Sequence, residues 1–440
     1  MAEHEAGRRT SGLGAGFRAQ LASTGLANLG DGILGMLAPL VALTLTASPA
    51  QISLLTAATW APWLLFGLAA GVVIDRVDRR RAQVLALVTR AVVLAAAALL
   101  SLSGRLTMPL LLAAVLLYGV TEVFADLGAN SILPDLVPSD RLPAANGRVL
   151  GVQQVANAFL GSPLAGVLIV LGAGVGFGAS AALAALAAIV LAVGLRGRFR
   201  PATQTASRPL ADVREGLAFL VRHPVIRPLV ITSSVMNLAN TAYFAVFVLW
   251  AVGPDSAIGL TAAQYPLLTL GLALGAVAGS LFADRLQRRF GETRTIIAAL
   301  LADGLLMLVP VLWPNGWAVA AAFALVGLAN TAGNVLTQSL RQRLVPSALL
   351  GRVGGAGRTL AYGLMPLGAV LGGLIAERFG LAVTFYASVG LFLAACGYLA
   401  VSLRTAPVQP AGGPPPFGSA PRRSPRRSAR RRWRSVVRTR

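Results

Sequence analysis

Lysine is absent from this chain, so each of its 38 basic residues is Arg. The two cations bind ligands differently, but a complete absence reads as compositional bias rather than ligand selection. Cysteine is nearly absent too. Cys396 stands alone, which excludes an intramolecular disulfide and a cysteine metal cluster. Histidine occurs twice, as His4 and His223, both outside the apolar runs, with no nucleophile–base motif beside them. A membrane-embedded enzyme is therefore the least favoured reading, and neither cofactor nor metal is expected. Charge of either sign is scarce: 12% of residues carry it, about half the share of a soluble domain.

What fills the 440 residues is apolar, 56% hydrophobic with a mean hydropathy of +0.71. Water cannot solvate that much apolar surface, so the solvent for most of the chain is lipid, and its backbone must satisfy itself in helices. The first twenty residues are polar, carry Arg8, Arg9 and Arg18, and show no cleavable signal pattern. Windows of about 20 apolar residues fall near 21–46, 51–74, 83–103, 107–128, 147–170 and 174–195. A second set falls near 225–251, 261–283, 294–312, 316–338, 353–376 and 380–403. The expected fold is an all-α integral membrane protein of twelve transmembrane helices in two pseudo-symmetric six-helix halves. Its parts are an N-terminal segment 1–20, a first half 21–195, a linker 196–223, a second half 224–403 and a tail 404–440.

Arg placement supplies the orientation. The connections at 75–82, 196–223, 284–294 and 339–352 are Arg-rich, as are both ends of the chain. The alternate connections Ala47–Gln51, Leu171–Gly174, Gly253–Gly259 and Trp313–Gly316 contain no Arg; Arg105 and Arg378 are the exceptions on that side. The positive-inside rule then puts both termini in the cytoplasm and requires an even number of spans. The tail from Arg404 to Arg440 holds 11 Arg and no acid, half of the formal +22. The high pI is thus no sign of a nucleic-acid-binding core.

The chain also repeats itself. Gly71-Val-Val-Ile-Asp75-Arg76-Val-Asp-Arg79-Arg80 matches Gly279-Ser-Leu-Phe-Ala-Asp284-Arg285-Leu-Gln-Arg288-Arg289, with the acids 209 residues apart. Leu-Val-Pro138 recurs as Leu-Val-Pro346 at an offset of 208, and Pro163-Leu as Pro366-Leu at 203. Ordered anchors at nearly constant offset point to duplication, and duplicated six-span halves describe one class of secondary transporter.

These residues resemble the major facilitator superfamily, and within it the branch of enterobactin exporters and macrolide efflux pumps. The resemblance covers about residues 17–403. It rests on Gly30-Asp31-Gly32, Pro62-Trp63, the Asp75-Arg76-x-x-Arg79-Arg80-Arg81 loop, Asn130 to Pro134, Ala145-Asn146 after Pro143, and Ser162-Pro163-Leu164. Two elements depart from the superfamily pattern. Asp78 stands where the loop usually has Gly, and of the antiporter signature Gly-Pro-x-x-Gly-Gly only Gly161-Ser162-Pro163-Leu164-Ala165-Gly166 is present. The resemblance implies alternating access, with Asp75 and Arg76, Arg79 and Arg80 as a gate in which Asp75 accepts hydrogen bonds from a helix N-terminus of the other half. Asp284 and Arg285 would act likewise from the second half. A carboxylate suits a helix N-terminus; positive-inside anchoring accounts for Arg79 to Arg81 but not for an acid among them.

Charges at membrane depth cost about 2.5 kcal/mol or more, so each needs a reason. Asp31 lies about ten residues, roughly 15 Å, into the first apolar window, flanked by Gly30 and Gly32, which leave room for water or a partner to reach it. It is a candidate proton carrier; the structural alternative is an Asp tying the first span to a neighbour. Glu122 and Asp126 share a helical face as further proton-coupling candidates, or as partners of Arg90 or Arg148 in a salt bridge. Arg90 and Asp303 occupy equivalent repeat positions, on spans that in the superfamily pack outside the central cavity, and internal ion pairing is the expected role of both.

Polar side chains on cavity-lining spans are the substrate-binding candidates: Asn28, Gln153, Asn157, Asn237, Asn240, Tyr243, Asn330, Asn334, Arg358 and Tyr362. Asn330, Asn334 and Gln338 run down one helical face at i, i+4, i+8. Interhelical hydrogen bonding is the bland role open to every Asn and Gln among them. The tail beyond Pro407 is too polar to fold and is expected to lie on anionic lipid; with Trp433 its only stacking ring, nucleic acid is not an expected partner. The expectation is a monomer that exports a small apolar or amphipathic compound, drug- or siderophore-like, by proton antiport. A proton-coupled uptake symporter and a receptor or scaffold acting through the Arg-rich tail are the alternatives.

Overall fold

The computed structural model describes residues 14–74, 76–199, 209–346 and 349–405. The first half consists of spans 1 (Ala15–Leu45), 2 (Pro49–Ile74), 3 (Arg79–Leu102), 4 (Met108–Leu136), 5 (Ser139–Leu171) and 6 (Ala173–Gly194). After a connecting helix, Pro209–Arg222, the second half has spans 7 (Ile226–Ala251), 8 (Tyr265–Phe290), 9 (Glu292–Leu312) and 10 (Gly316–Leu344). Span 11 is Leu350–Gly363 continued by Met365–Phe379, and span 12 is Leu381–Thr405. Among the described residues eleven helices are long and apolar enough to cross a membrane; Pro49–Ile74, 26 residues without a charged side chain, completes the twelve. Several run past their apolar windows at the Arg-rich end: span 1 starts at Ala15, and span 10 continues to Leu344. Hydropathy marks where lipid contact stops, not where helical hydrogen bonding stops.

The duplication is visible in the packing. In the first half spans 1 and 3 pack on 6, 3 and 4 on each other, 2 on 4, and 1 on 5. The second half repeats the pattern, with 7 on 12 and 11, 9 on 10 and 12, and 8 on 10. Gly172 and Gly380, 208 apart, make the tight corners between spans 5 and 6 and between 11 and 12 at φ 116° and 91°. Only Gly adopts that backbone without strain. The prolines act as pairs too: Pro163 follows a π-helical turn, Val155–Gly161, and Pro366 follows the break at Leu364. Each removes one helical N–H and marks a local break.

The connecting helix packs on the first part of span 11, where Leu220, Ile226, Val230, Val345, Val353 and Ala356 form a small core. His223 caps span 7, its Nδ1 accepting from the backbone N–H of Val225 and Ile226, both at 3.2 Å. Burial lowers the basicity of this ring, so the accepting neutral form persists at neutral pH and is lost as pH falls.

The halves meet mainly at the Arg-poor end, where span 2 packs on spans 11 and 7, and span 5 on span 8. Small residues permit the approach: Ala57, Ala245 and Ala369 form one buried cluster, and a Cβ on Gly166 would sit 2.6 Å from the Ala263 carbonyl oxygen. A Cβ on Gly373 would overlap the Ser53 side chain and reach 3.1 Å from Ala50 Cα. Glu377 at the end of span 11 reinforces the seam, one oxygen accepting from Ser48 Oγ (2.8 Å) and the Ala50 N–H (3.2 Å) at the start of span 2. A carboxylate of one half thus caps a helix of the other, at the opposite end from the Arg-rich loops.

Because the seam depends on close backbone approach, Gly373→Val should pry this end apart. In a Cys396→Ser background, a cysteine replacing Ala57, now 8% exposed, should react several-fold faster with a maleimide when Gly373→Val is added. An unchanged rate would show that the seam does not need this glycine.

Candidate functional site

In the first half, Arg90 of span 3 is 2% exposed and lies between two carboxylates. Its Nη1 donates to Asp31 Oδ1 at 2.7 Å, its Nη2 to Glu122 Oε2, and its Nε to Thr121 Oγ1 at 3.3 Å. Tyr118 donates its hydroxyl to the same Asp31 oxygen, and its ring lies under the guanidinium at 4.7 Å. Thr121 Oγ1 in turn donates to the Tyr118 carbonyl oxygen at 2.6 Å. Arg90 is thereby oriented by hydrogen bonds, charge and a ring face together. With all three ionised, one cation faces two anions, so the group carries one net negative charge. Excess negative charge at membrane depth is costly.

A narrow cleft joins this group to Asn28, Asp126 and Gln153, and to Gln20 and Gln83 toward the Arg-rich end. Asn28 donates to its own helix at the Thr24 carbonyl (2.9 Å), and Asn130 donates to Asp126 Oδ2 at 3.1 Å. Asp31 is the seventeenth of the 31 residues of span 1, close to mid-helix. Gly30 and Gly32 do not open space around it, as their size suggested. A Cβ on Gly32 would overlap the Asn157 carbonyl oxygen, and one on Gly161 would lie 2.7 Å from the Leu29 carbonyl oxygen. Spans 1 and 5 therefore cross backbone to backbone at the π-helical turn, and Asn157 belongs to that crossing rather than to the cleft lining.

In the second half a cavity of about 840 Å³ opens among spans 7, 10, 11 and 12. Asn237, Asn240, Asn330, Asn334 and Tyr362 line it with Gln338, and Met236 and Phe392 add apolar surface. It reaches Arg341, Gln342 and Val345 at the Arg-rich end. Asn237 also donates to the Ala361 carbonyl at 3.0 Å, and Tyr362 lies 5.9 Å, ring to ring, from Trp60 of the first half. The side chain of Arg358 lies outside the described residues.

Tyr243 is not part of the cavity. It is fully buried in an aromatic core with Phe244, Phe247 and Phe385, and donates to the Met307 carbonyl oxygen at 3.0 Å. Its helical position faces span 9, so a hydroxyl that hinted at a ligand satisfies a broken helix instead. Asp303 is not in an ion pair either; it accepts from Asn330 Nδ2 at 2.9 Å, and among the described residues no cation bonds to it. Arg90 is ion-paired as expected, but as the hub of the cleft rather than apart from it. Tyr118 and Thr121 were missed. Their spacing of four and one before Glu122 could have shown them, since Tyr118 shares its helical face.

Of the loop residues, Asp75 and the segment 406–440 lie outside the described residues. Arg76 is exposed, Arg79 pairs with Asp135 at 2.8 Å, and Arg80 donates to the Ala192 carbonyl. Asp284 is exposed and reaches only its own helix, at Arg288 (3.8 Å), while Arg285 lies over Phe282; no bond from Asp284 to the other half forms in this conformation among the described residues. Asp78, the departure from the superfamily pattern, is buried. It caps span 3 through the Arg81 N–H (3.0 Å) and holds the Phe199 N–H (3.1 Å) beyond span 6, contacts that a glycine could not make.

Two six-span halves packed together at the Arg-poor end, with a polar cavity in the second half that reaches the Arg-rich end, are the architecture of a secondary transporter of the major facilitator type. The chain belongs to the transmembrane secretion effector family, whose model matches residues 15–411. It is 27% identical over 346 residues to the enterobactin exporter EntS of Escherichia coli O127:H6 (strain E2348/69 / EPEC), covering 77% of this chain and 80% of that one. EntS of Escherichia coli O139:H28 (strain E24377A / ETEC) is 26% identical over the same length. Among solved structures, the nucleoside transporter NupG matches with a TM-score of 0.68 at 13% identity, covering 89% of this chain and 100% of NupG. A bacterial homologue of the iron transporter ferroportin in an inward-facing state gives 0.68 at 14% identity, covering 88% and 98%. These are similarities of fold. The family and these neighbours are transporters, not enzymes.

Removing Arg90 leaves two carboxylates facing each other without a cation. Arg90→Ala should cost about 3–5 kcal/mol, as for a broken buried pair, read as a lower thermal midpoint of the detergent-solubilised protein. Adding Asp31→Asn and Glu122→Gln should recover most of it; equal loss in both proteins would show that Arg90 acts through packing alone.

Proposed function

We propose that this protein exports a small amphipathic compound in exchange for protons. The observation that carries the reading is the Asp31–Arg90–Glu122 group, one guanidinium between two carboxylates beside a polar cleft. A proton arriving at Asp31 or Glu122 loosens that carboxylate from Arg90, and spans 1, 3 and 4 are then free to shift against one another. The substrate occupies the cavity of the second half, whose about 840 Å³ falls in the range of drug-sized sites. Amides from Asn237, Asn240, Asn330 and Asn334 meet its polar groups, while Met236 and Phe392 meet its apolar ones. By the positive-inside rule the Arg-rich end is cytoplasmic, so this conformation takes substrate from the cytoplasm. Both termini lie on that side, the Arg-rich tail against anionic lipid.

In the opposite conformation the Arg-poor seam parts and the Arg-rich loops close. Asp75 and Asp284 then cap helices of the opposite halves, as Glu377 caps span 2 here. The named relatives export enterobactin, and the lining chemistry accommodates a compound of that polarity as well as an amphipathic drug.

Inverted vesicles carrying the full chain test the reading, with enterobactin and macrolides as candidate substrates. Accumulation should require an inside-acid gradient, fall at least tenfold on its collapse, and vanish in the Asp31→Asn, Glu122→Gln double variant. Gradient-independent movement, or full activity of that variant, would falsify proton-coupled export.

A further inference from the structure

The carboxyl of Asp303 is placed unlike the other acids. It is 0% exposed, near the middle of span 9, with spans 10 and 12 packed over it. Oδ2 accepts from Asn330 Nδ2 at 2.9 Å, whereas Oδ1 is buried with no hydrogen-bond partner among the described residues. Asn330 Oδ1 accepts from Asn334 Nδ2 at 2.9 Å, and both amides line the large cavity. An enclosed carboxylate with a bare lone pair is thus joined to the cavity wall by a chain of two amides.

The groups around it leave it uncompensated. On span 12 the Cys396 thiol is the titratable group that interacts with it. Arg285, Arg288 and Arg289 of span 8, Arg341 and Arg343 of span 10, and Arg404 of span 12 all lie toward the Arg-rich end. Asp303 is eleven residues from Glu292 at that end of span 9, about 16 Å at helical rise. A lone ionised carboxylate in such surroundings is expensive, and a free lone pair is where a proton binds.

Protonation would change the polarity of the whole chain. An ionised Asp303 only accepts, which fixes Asn330 with its NH₂ toward the acid and its carbonyl toward Asn334. Asn334 then donates inward and shows its carbonyl oxygen to the cavity. A protonated Asp303 has an O–H that needs an acceptor, and the Asn330 carbonyl is within reach once the carboxyl rotates to present that O–H and the amide turns over. Asn330 then donates to the Asn334 carbonyl, and Asn334 turns its NH₂ to the cavity.

We infer that Asp303, Asn330 and Asn334 form a proton-operated hydrogen-bond switch in the wall of the cavity. One proton binds a carboxylate oxygen, no other covalent bond is made or broken, and the two hydrogen bonds reverse direction. Ionised, the wall offers an acceptor and suits a ligand hydroxyl or ammonium; protonated, it offers a donor and suits a ligand carbonyl, ether or carboxylate. The consequence for a transported compound rests on the reading of the cavity as the substrate site, but the switch itself does not.

Infrared difference spectra of the full chain in lipid vesicles, taken between acid and alkaline buffer, test it without a substrate. The wild type should lose a carboxylic C=O band on alkalinisation, together with a change in the side-chain amide bands. Asp303→Asn should lose that band and the amide change. Asn334→Ala, on the open side of the wall, should keep the carboxyl band and lose about half of the amide change. The Asp31→Asn, Glu122→Gln chain should keep both Asp303 signals, which separates this switch from the proton group of the first half. An unaltered carboxyl band in Asp303→Asn, or a full amide change in Asn334→Ala, would overturn the switch.

Discussion

Arg90 is the interaction on which the first half depends. It cannot shed its charge, so a guanidinium in the middle of a bundle must be matched by anions, and the nearest helices supply them. Asp31 and Glu122 draw spans 1 and 4 onto span 3, while Thr121 accepts from Nε and the Tyr118 ring covers one face of the guanidinium. In lipid no hydrophobic force gathers helices, so this polar hub defines the mutual register of three spans. It also makes that register sensitive to any proton that neutralises one of the acids. Structure and chemistry are carried by the same bonds.

Close crossings complete the constraint. Gly32 and Gly161 let spans 1 and 5 touch backbone to backbone, and the π-helical turn lies at that crossing. A π turn leaves backbone groups strained out of the regular ladder, which suits a helix that must bend. Ser162 eases the break by donating to the Asn157 carbonyl at 3.3 Å. The vestige of the antiporter signature, Gly161-Ser162-Pro163, is therefore a mechanical element before it is a chemical one.

Much of the fold was legible in the sequence, because hydropathy, Arg alternation and repeat offsets each report a constraint that acts locally along the chain. The helix ends were less so, since helices continue past the lipid at the Arg-rich side where no hydropathy marks them. The cleft was half legible. Asp31 and Glu122 stand out as acids in apolar runs, and their partner Arg90 was visible as a charge. Nothing one-dimensional could show that three helices converge on it. Tyr243 shows the reverse failure: a polar atom on a central helix can serve the backbone of a neighbour, and sequence does not distinguish that from facing a ligand. Asp78 gives a third case, in which the departure from a family pattern turned out to be a helix cap with its own partner.

Duplication makes the remaining asymmetry informative. Arg90 and Asp303 stand at equivalent positions, yet one is a cation ringed by acids and the other an acid tied to amides. A permanent cation needs counter-ions close by, and the first half holds them around a tight cleft with little volume. An acid can become neutral, so its surroundings need only amides, and these can line an open cavity without leaving an uncompensated charge. From one ancestral helix pair, the sign of a single buried charge therefore decides which half can be compact and ionic and which can be spacious and polar.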